Sequence, residues 1–274
     1  MIETASLYLP LHLELMALLR ELKPTDWTRE TICRGWTLQD VAAHMLDTQI
    51  RILSQGRDGY TGVAPDGPID SFGSLVDFLN RLNNDWVKVA RRISPRILME
   101  MLDQIGPQLA THVESLDPNA QALFPVAWAG EDASPNWFDI GRNYTEYWHH
   151  QQQIRDAVGA PGLFARRWLY PVIALFLRAV PRAYTGSEFT AGTTVRIQVT
   201  GEAGGIWSLT RDQKGWSIEE VETQSPQASV TLSDDTAWRF LTKGLDPAVA
   251  RTRVSFAGDL ELAAKFLDSR AVMA

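Results

Sequence analysis

Glu146 and His150 stand four positions apart in the segment Asn143–His150. On a helix, positions i and i+4 share a face at about 6 Å between Cβ atoms, so this pair can grip one ion. His44 lies far upstream and would have to come from a neighbouring helix. Two imidazoles and a carboxylate are a set that holds catalytic zinc and leaves a fourth position open. Nickel, iron or manganese also accept it. His149, next to His150, points about 100° away on a helix, so Glu146 selects His150 as its companion. His12 and His112 read as lone helical histidines, with His112 the reserve ligand.

The elements that position these residues are legible in the apolar spacing. Ala5 to Leu22 places Leu9, Leu13, Met16, Leu19 and Leu22 at helical intervals, and Lys23-Pro24 ends the run. Thr37 reads as an N-cap with Asp40 as the acidic half of a capping box. The helix that follows, Leu38 to about Leu53, directs Leu38, Val41, Ala42, Met45 and Ile52 to the core and carries His44. Gly56 to Gly73 is a long loop. Ser74 to Arg92 is a helix with a stripe from Leu75 to Val89, and Pro95 opens another that reaches about Leu116. Asn136 to Val158 is a long helix closed by Gly159 and Pro161, and a last one runs from about Phe164 to Ala179.

Beyond Thr185-Gly186 the pattern changes to alternation. Thr193 to Thr200, Ile206 to Arg211, Gly215 to Val221, Ala228 to Ser233 and Thr252 to Ala257 read as strands. A short helix is expected from Asp234 or Asp235 to Lys243, and a terminal one to Leu267. The expected division is therefore 1–184, helical, and 185–274, α+β.

Around His44, the residues Asp47 and Arg51 continue its helix face, and Arg142 and Gln153 flank the Glu146/His150 pair. Asp47 is a candidate to orient His44. Arg51 or Arg142 could hold an anionic substrate. The single cysteine, Cys33, reads as packing. It excludes an intrachain disulfide and a cysteine-based zinc site, and it fits a reducing cytosol.

The 274 residues are 45% hydrophobic and 22% charged, as in a globular protein with a real core. A formal charge of −7 disfavours nucleic acid and anionic membranes as partners. The start of the chain lacks a signal-peptide layout. The longest apolar stretch, Tyr170 to Val180, is interrupted by Arg178 and too short to span a bilayer. These features make a cytoplasmic location the expectation. Most of the ten tryptophans are expected in packing.

The stretch Gly35-Trp36-Thr37, followed two turns on by His44, resembles a segment of the DinB superfamily, closest to its mycothiol-dependent maleylpyruvate isomerase branch. Glu146-Tyr147-Trp148-His149-His150 matches the Glu-x-x-x-His of that branch, and Arg155-Asp156-Ala157-Val158-Gly159 its helix ending. Trp207, Ala228-Ser229-Val230 and Phe256-Ala257-Gly258-Asp259 resemble an attached small α/β domain, similar to sterol-carrier-protein-like folds. The resemblance implies a four-helix bundle with extra helices. It also implies His44, Glu146 and His150 on a divalent metal, usually zinc, with a low-molecular-weight thiol as cosubstrate. The chain departs at Gln153, where the family often has Asp.

The expected function is a metal-dependent thiol transferase or isomerase. It would act on a small electrophilic substrate, carboxylate-bearing if an arginine serves it. A non-catalytic binder of lipids or other small molecules, and a metal hydrolase that needs no thiol, are the alternatives.

Overall fold

The computed structural model describes residues 1–271. Four helices form the bundle: α1 (Tyr8–Glu21), α2 (Leu38–Ile52), α4 (Pro95–Ser115) and α5 (Asn136–Val158). They pack in the cyclic order α1, α4, α2, α5. Helix α3 (Phe72–Ala90) lies against the outside of α2, and α6 (Arg166–Phe176) against α5. The short α7 (Val180–Ala183) ends the helical run.

A five-stranded sheet follows, in the order β3-β2-β1-β4-β5. Its strands are β1 (Thr194–Thr200), β2 (Gly205–Arg211), β3 (Trp216–Glu219), β4 (Ala228–Ser233) and β5 (Ser255–Gly258). β1 pairs parallel to β4, and the other pairings are antiparallel. Val195, Ile197 and Val199 alternate into the core against Val230 and Leu232, the period-two burial that the sequence pattern requires. Helices α8 (Asp234–Leu241), α9 (Pro247–Arg253) and α10 (Leu260–Ala264) complete this part.

Two helices matter most for the site, and each has a defined origin. The Thr37 side chain accepts the Asp40 N–H while the Asp40 carboxylate accepts the Thr37 N–H, so the capping box is complete. Such a cap contributes about 1 kcal/mol and fixes where α2 begins. Arg91, at the end of α3, clamps the same carboxylate at 2.9 and 3.0 Å. Burial would raise the Asp40 carboxyl, but the Arg91 and Thr37 bonds hold it below its ordinary value. Helix α5 ends at Gly159, which takes the left-handed conformation (φ 68°). Buried hydrogen bonds hold α5 on both sides: Tyr8 Oη to the Ile140 carbonyl at 2.7 Å, and Trp148 Nε1 to the Leu163 carbonyl at 3.1 Å.

Three details differ from the sequence reading. Leu9 and Leu13 are 39% and 57% exposed, and the buried face of α1 is Tyr8, Leu11, His12, Leu15, Met16 and Leu19. The leucine-rich spacing allowed two faces, and the one carrying Tyr8 and His12 packs inward because both find polar partners. Val89 is likewise exposed on α3. Thr252 and Arg253 are helical rather than extended. Asp246 caps α9 with Pro247 at its first position, so the last strand begins only at Ser255.

The α1–α4 contact is close. His12 donates or accepts at 2.8 Å with the Tyr147 hydroxyl, and its ring lies where a Cβ on Gly106 would come within 2.2 Å. Gly106→Ala should therefore destabilise the protein by about 1–3 kcal/mol through overpacking, despite the ~1 kcal/mol helix-propensity gain. Urea denaturation would read this, and unchanged or raised stability would contradict the packing described.

Burial also pushes the His12 imidazole down to about 4. The unfolded chain, titrating near 6.5, then binds more protons than the native one. His12 thus contributes stability that is full above about pH 6.5 and is lost as pH falls toward 4. Between pH 7 and 5, wild type should lose about 2 kcal/mol more stability than His12→Gln. Parallel pH profiles for the two proteins would count against it.

Candidate metal centre

Helices α2 and α5 bring His44, Glu146 and His150 together. One ligand atom from each lies within 4.8 Å of the others. His44 Nε2 and His150 Nε2 are each 3.2 Å from the same Glu146 oxygen, Oε1. Zinc–nitrogen bonds of about 2.0–2.1 Å give a regular tetrahedron an edge of roughly 3.3 Å, so the two spacings to Glu146 suit edges of such a site. The imidazole rings stand edge to face, with centroids 4.7 Å apart. The histidine side chains are 3% and 11% exposed, whereas that of Glu146 is 43% exposed. The carboxylate side of the cluster thus opens outward, and the imidazole side is closed.

The electrostatics of the cluster centre on the Glu146 carboxylate. Burial would raise Glu146, but both histidines hold it well below the carboxylate range. Burial alone pulls His150 down, yet its contacts with Cys33 and Glu146 raise it to about 10. Burial pushes His44 down to about 4, against the pull of Glu146.

Gln153 organises the closed side. Its Oε1 accepts from His150 Nδ1–H at 2.7 Å and from the Cys33 thiol at 3.1 Å. Its Nε2 donates to His149 Nε2 at 3.1 Å. This holds a proton of His150 on Nδ1, so that loss of the other ring proton would leave the Nε2 lone pair directed toward Glu146 and His44. His149 faces away from the cluster and packs edge to face on Trp238 of α8, with centroids 6.0 Å apart.

The other candidates fall as follows. Asp47 pairs with Arg51 at 3.0 Å, and the Nδ1 of His44 is buried with no hydrogen-bond partner, so no bond joins Asp47 to His44. Arg51 also donates to Asn83 at 3.0 Å. Arg142 is held by Asp139 at 2.5 Å. Both arginines act electrostatically on the cluster, Arg51 on His44 and Arg142 with Glu146. His112 sits elsewhere, against Gly56 and near Arg57 and Asp58.

Sequence reading treated Cys33 as packing, and the structure puts its thiol in the Gln153 network. It also missed Trp36 as a site wall, although Trp36 lies one residue before the cap of α2. Its ring packs on His44 at 5.2 Å.

A helical bundle with a two-histidine, one-carboxylate cluster, joined to a small mixed-sheet unit, is the class of protein that these features define. Residues 8–155, more than half of the chain, match the family model described as the mycothiol maleylpyruvate isomerase N-terminal domain, and the chain belongs to that family. The crystal structure of the mycothiol-dependent maleylpyruvate isomerase matches with a TM-score of 0.55 at 12% identity, over 92% of this chain and 91% of that one. A histidine-to-alanine mutant of that protein matches over the same shares with a TM-score of 0.52 at 11% identity. At this identity the likeness is one of fold, and it spans both parts of the chain. The sterol carrier protein domain 2 of Helicoverpa armigera matches at 17% identity over 34% of this chain and 80% of its own, with a TM-score of 0.27, too low to carry an argument. No curated protein sequence matches the chain.

Gln153→Leu removes the acceptor that orients His150. Loss of such a partner costs roughly 10–100-fold in metal affinity. Competition against a chromophoric zinc chelator should show that loss, while Gln153→Glu, which keeps an acceptor oxygen, should retain affinity. Equal affinities in wild type and Gln153→Leu would remove the role assigned to the amide.

Proposed function

We propose that the chain is a metal-dependent enzyme that uses a low-molecular-weight thiol, mycothiol-like, to isomerise or S-conjugate a small electrophilic substrate. The observation that carries this reading is the convergence of His44, Glu146 and His150 in a member of this family. The ligands are His44 Nε2, Glu146 Oε1 and His150 Nε2, and zinc is the ion that best suits the set. An ion held by these residues would supply Lewis acidity that lowers the pKa of a thiol and favours its thiolate form.

The chain's own residues do the rest. Gln153 keeps His150 in the ligating tautomer. Trp36 and the bundle cover the imidazoles, and the exposed Glu146 edge leaves an approach for substrate. In this reading the thiol gives up its proton, its sulfur bonds to one carbon of a conjugated double bond, and the π pair of that bond moves onto the conjugated carbonyl as an enolate. Rotation about the resulting single bond, then return of the enolate pair to re-form the double bond with expulsion of the thiolate, which regains its proton, gives the geometric isomer with the thiol unchanged. Delivery of the thiol's proton to the second carbon of the former double bond gives the conjugate instead.

Arg51 and Arg142 stand beside the cluster as N–H donors to a substrate carboxylate. Their charges are already matched by Asp47 and Asp139, so they offer orientation more than net attraction. We place the domain division at 1–184 and 185–274, with the first unit carrying the chemistry. No helix among the described residues is long and apolar enough to cross a membrane. A cytoplasmic site of action, without nucleic-acid or membrane partners, goes with this proposal.

Metal analysis of purified wild type should find about one equivalent of divalent ion, strongly reduced in His44→Ala and His150→Ala. After cobalt substitution, a small thiol should produce a sulfur-to-metal charge-transfer band in wild type only. Metal content unchanged by either substitution would sink the ligand assignment. Turnover of a substrate without any thiol would sink the thiol reading.

A further inference from the structure

We infer that the cavity where the start of α3, the α7 turn and the segment Asp268–Arg270 meet is a second binding site, which takes a small aryl phosphate. It goes beyond the reading of the cluster, because none of its walls is His44, Glu146 or His150. The cavity has a volume of about 260 Å³. Phe72, Trp128 and Ala183 give it apolar walls, and Arg182, Arg270 and Asp268 give it charge.

The two arginines are held without being neutralised. Arg182 lies over the Phe72 ring at 4.5 Å and donates to the Ala127 carbonyl at 3.2 Å. Arg270 lies over the Phe240 ring at 4.8 Å and donates to the Leu267 carbonyl at 2.9 Å. Among the described residues these bonds use only Nη1 of each guanidinium, so Nε and Nη2 keep their N–H donors. Among the same residues neither arginine has a carboxylate within ion-pair distance, although Asp268 shares the cavity. Ring faces and carbonyls thus fix two positive charges in place and leave them for an anion. Each guanidinium is a planar fork that suits phosphate oxygens. A phosphate monoester, with three terminal oxygens and nearly two negative charges at pH 7, matches two such forks. Asp268 is exposed and subtracts from the attraction.

The rest of the cavity sets the body of the ligand. An apolar cavity of about 150 Å³ accepts a benzene ring, so this one has room for a single ring and its anionic head. Trp128 is 4% exposed and is braced edge to face by Phe138 and Phe176, with centroids 5.9 and 6.4 Å away. That wall is rigid and apolar, which favours a flat ring over a flexible polar body.

The test is calorimetric titration of the as-purified full chain, repeated after chelation, with phenyl phosphate, inorganic phosphate and benzyl alcohol. Phenyl phosphate should bind wild type alike in both preparations. Inorganic phosphate lacks the ring and benzyl alcohol lacks the charge, so each should bind at least about tenfold more weakly. Arg182→Gln and Arg270→Gln should each weaken phenyl phosphate about tenfold, the low end for a charge-assisted hydrogen bond. Arg92→Gln removes an exposed arginine outside the cavity and should bind as wild type does. Asp268→Asn works in the opposite direction: it removes the cavity's carboxylate and should tighten binding about threefold. That variant decides the matter if an arginine substitution fails to fold, which circular dichroism reads.

Equal affinity in wild type and folded arginine variants overturns the inference. So does absence of phenyl phosphate binding by wild type, equal binding of benzyl alcohol, or unchanged or weaker binding by Asp268→Asn. Binding that vanishes on chelation also overturns it, since the phosphate would then sit on the metal cluster.

Discussion

Two imidazole nitrogens held 3.2 Å from one carboxylate oxygen are the constraint around which the bundle is arranged. Three polar groups so close together lose solvation, and the contacts of both imidazoles with the one carboxylate offset that loss. They stay converged because neither helix can slide or turn. The capping box at Thr37 and Asp40 sets where α2 begins, and Arg91 fastens that box to α3. On the facing helix α5, Tyr144 and Trp148 each use a polar tip on a distant carbonyl, and Tyr8 of α1 donates to the α5 carbonyl of Ile140. Buried aromatics with satisfied hydrogen bonds specify one register, where apolar packing alone would permit small slips.

Helix α5 links this constraint to the rest of the chain. One face carries Glu146 and His150, the opposite one carries Trp148, and His149 lies between them; Trp148 and His149 both pack edge to face on Trp238. Asp156, in the last turn, pairs with Arg239 at 2.7 Å. Arg166 reaches the Glu202 and Gly204 carbonyls at 3.2 and 2.8 Å. The sheet-bearing part is thus seated on the helix that supplies two of the three ligands, and its position bears on His150 through His149 and Gln153.

Much of this was legible in the sequence. The extent of α5, the cap of α2 and four of the five strands follow from local pattern, because caps, alternation and the Gly159 stop act within a few residues. The choice of His150 over His149 follows from helical angle alone. Other features were not legible, for reasons of packing. Which face of α1 is buried depends on Tyr8 and His12 finding partners on α5, contacts more than a hundred residues away in sequence. The partner of Asp47 was decided by competition, with Arg51 one turn along the same helix winning over His44. The position of Cys33 in the Gln153 network depends on how a loop folds over α5, which no spacing encodes.

Gln153 is where this chain's chemistry departs most clearly from the pattern it resembles. A carboxylate there would accept from His150 and also add negative charge, making the imidazole a more basic ligand. It would have no proton to give His149. The amide instead divides its two ends: the oxygen takes His150 and Cys33, and the nitrogen gives to His149. That division forces His149 Nε2 to be an acceptor and keeps its proton on Nδ1, consistent with burial holding this imidazole neutral. The closed side of the cluster is therefore organised without adding an anion. Glu146 remains the one carboxylate in the proposed ligand set, and under the proposed function a divalent ion held there would keep more of its positive charge for an anionic thiolate than it would beside a second acid.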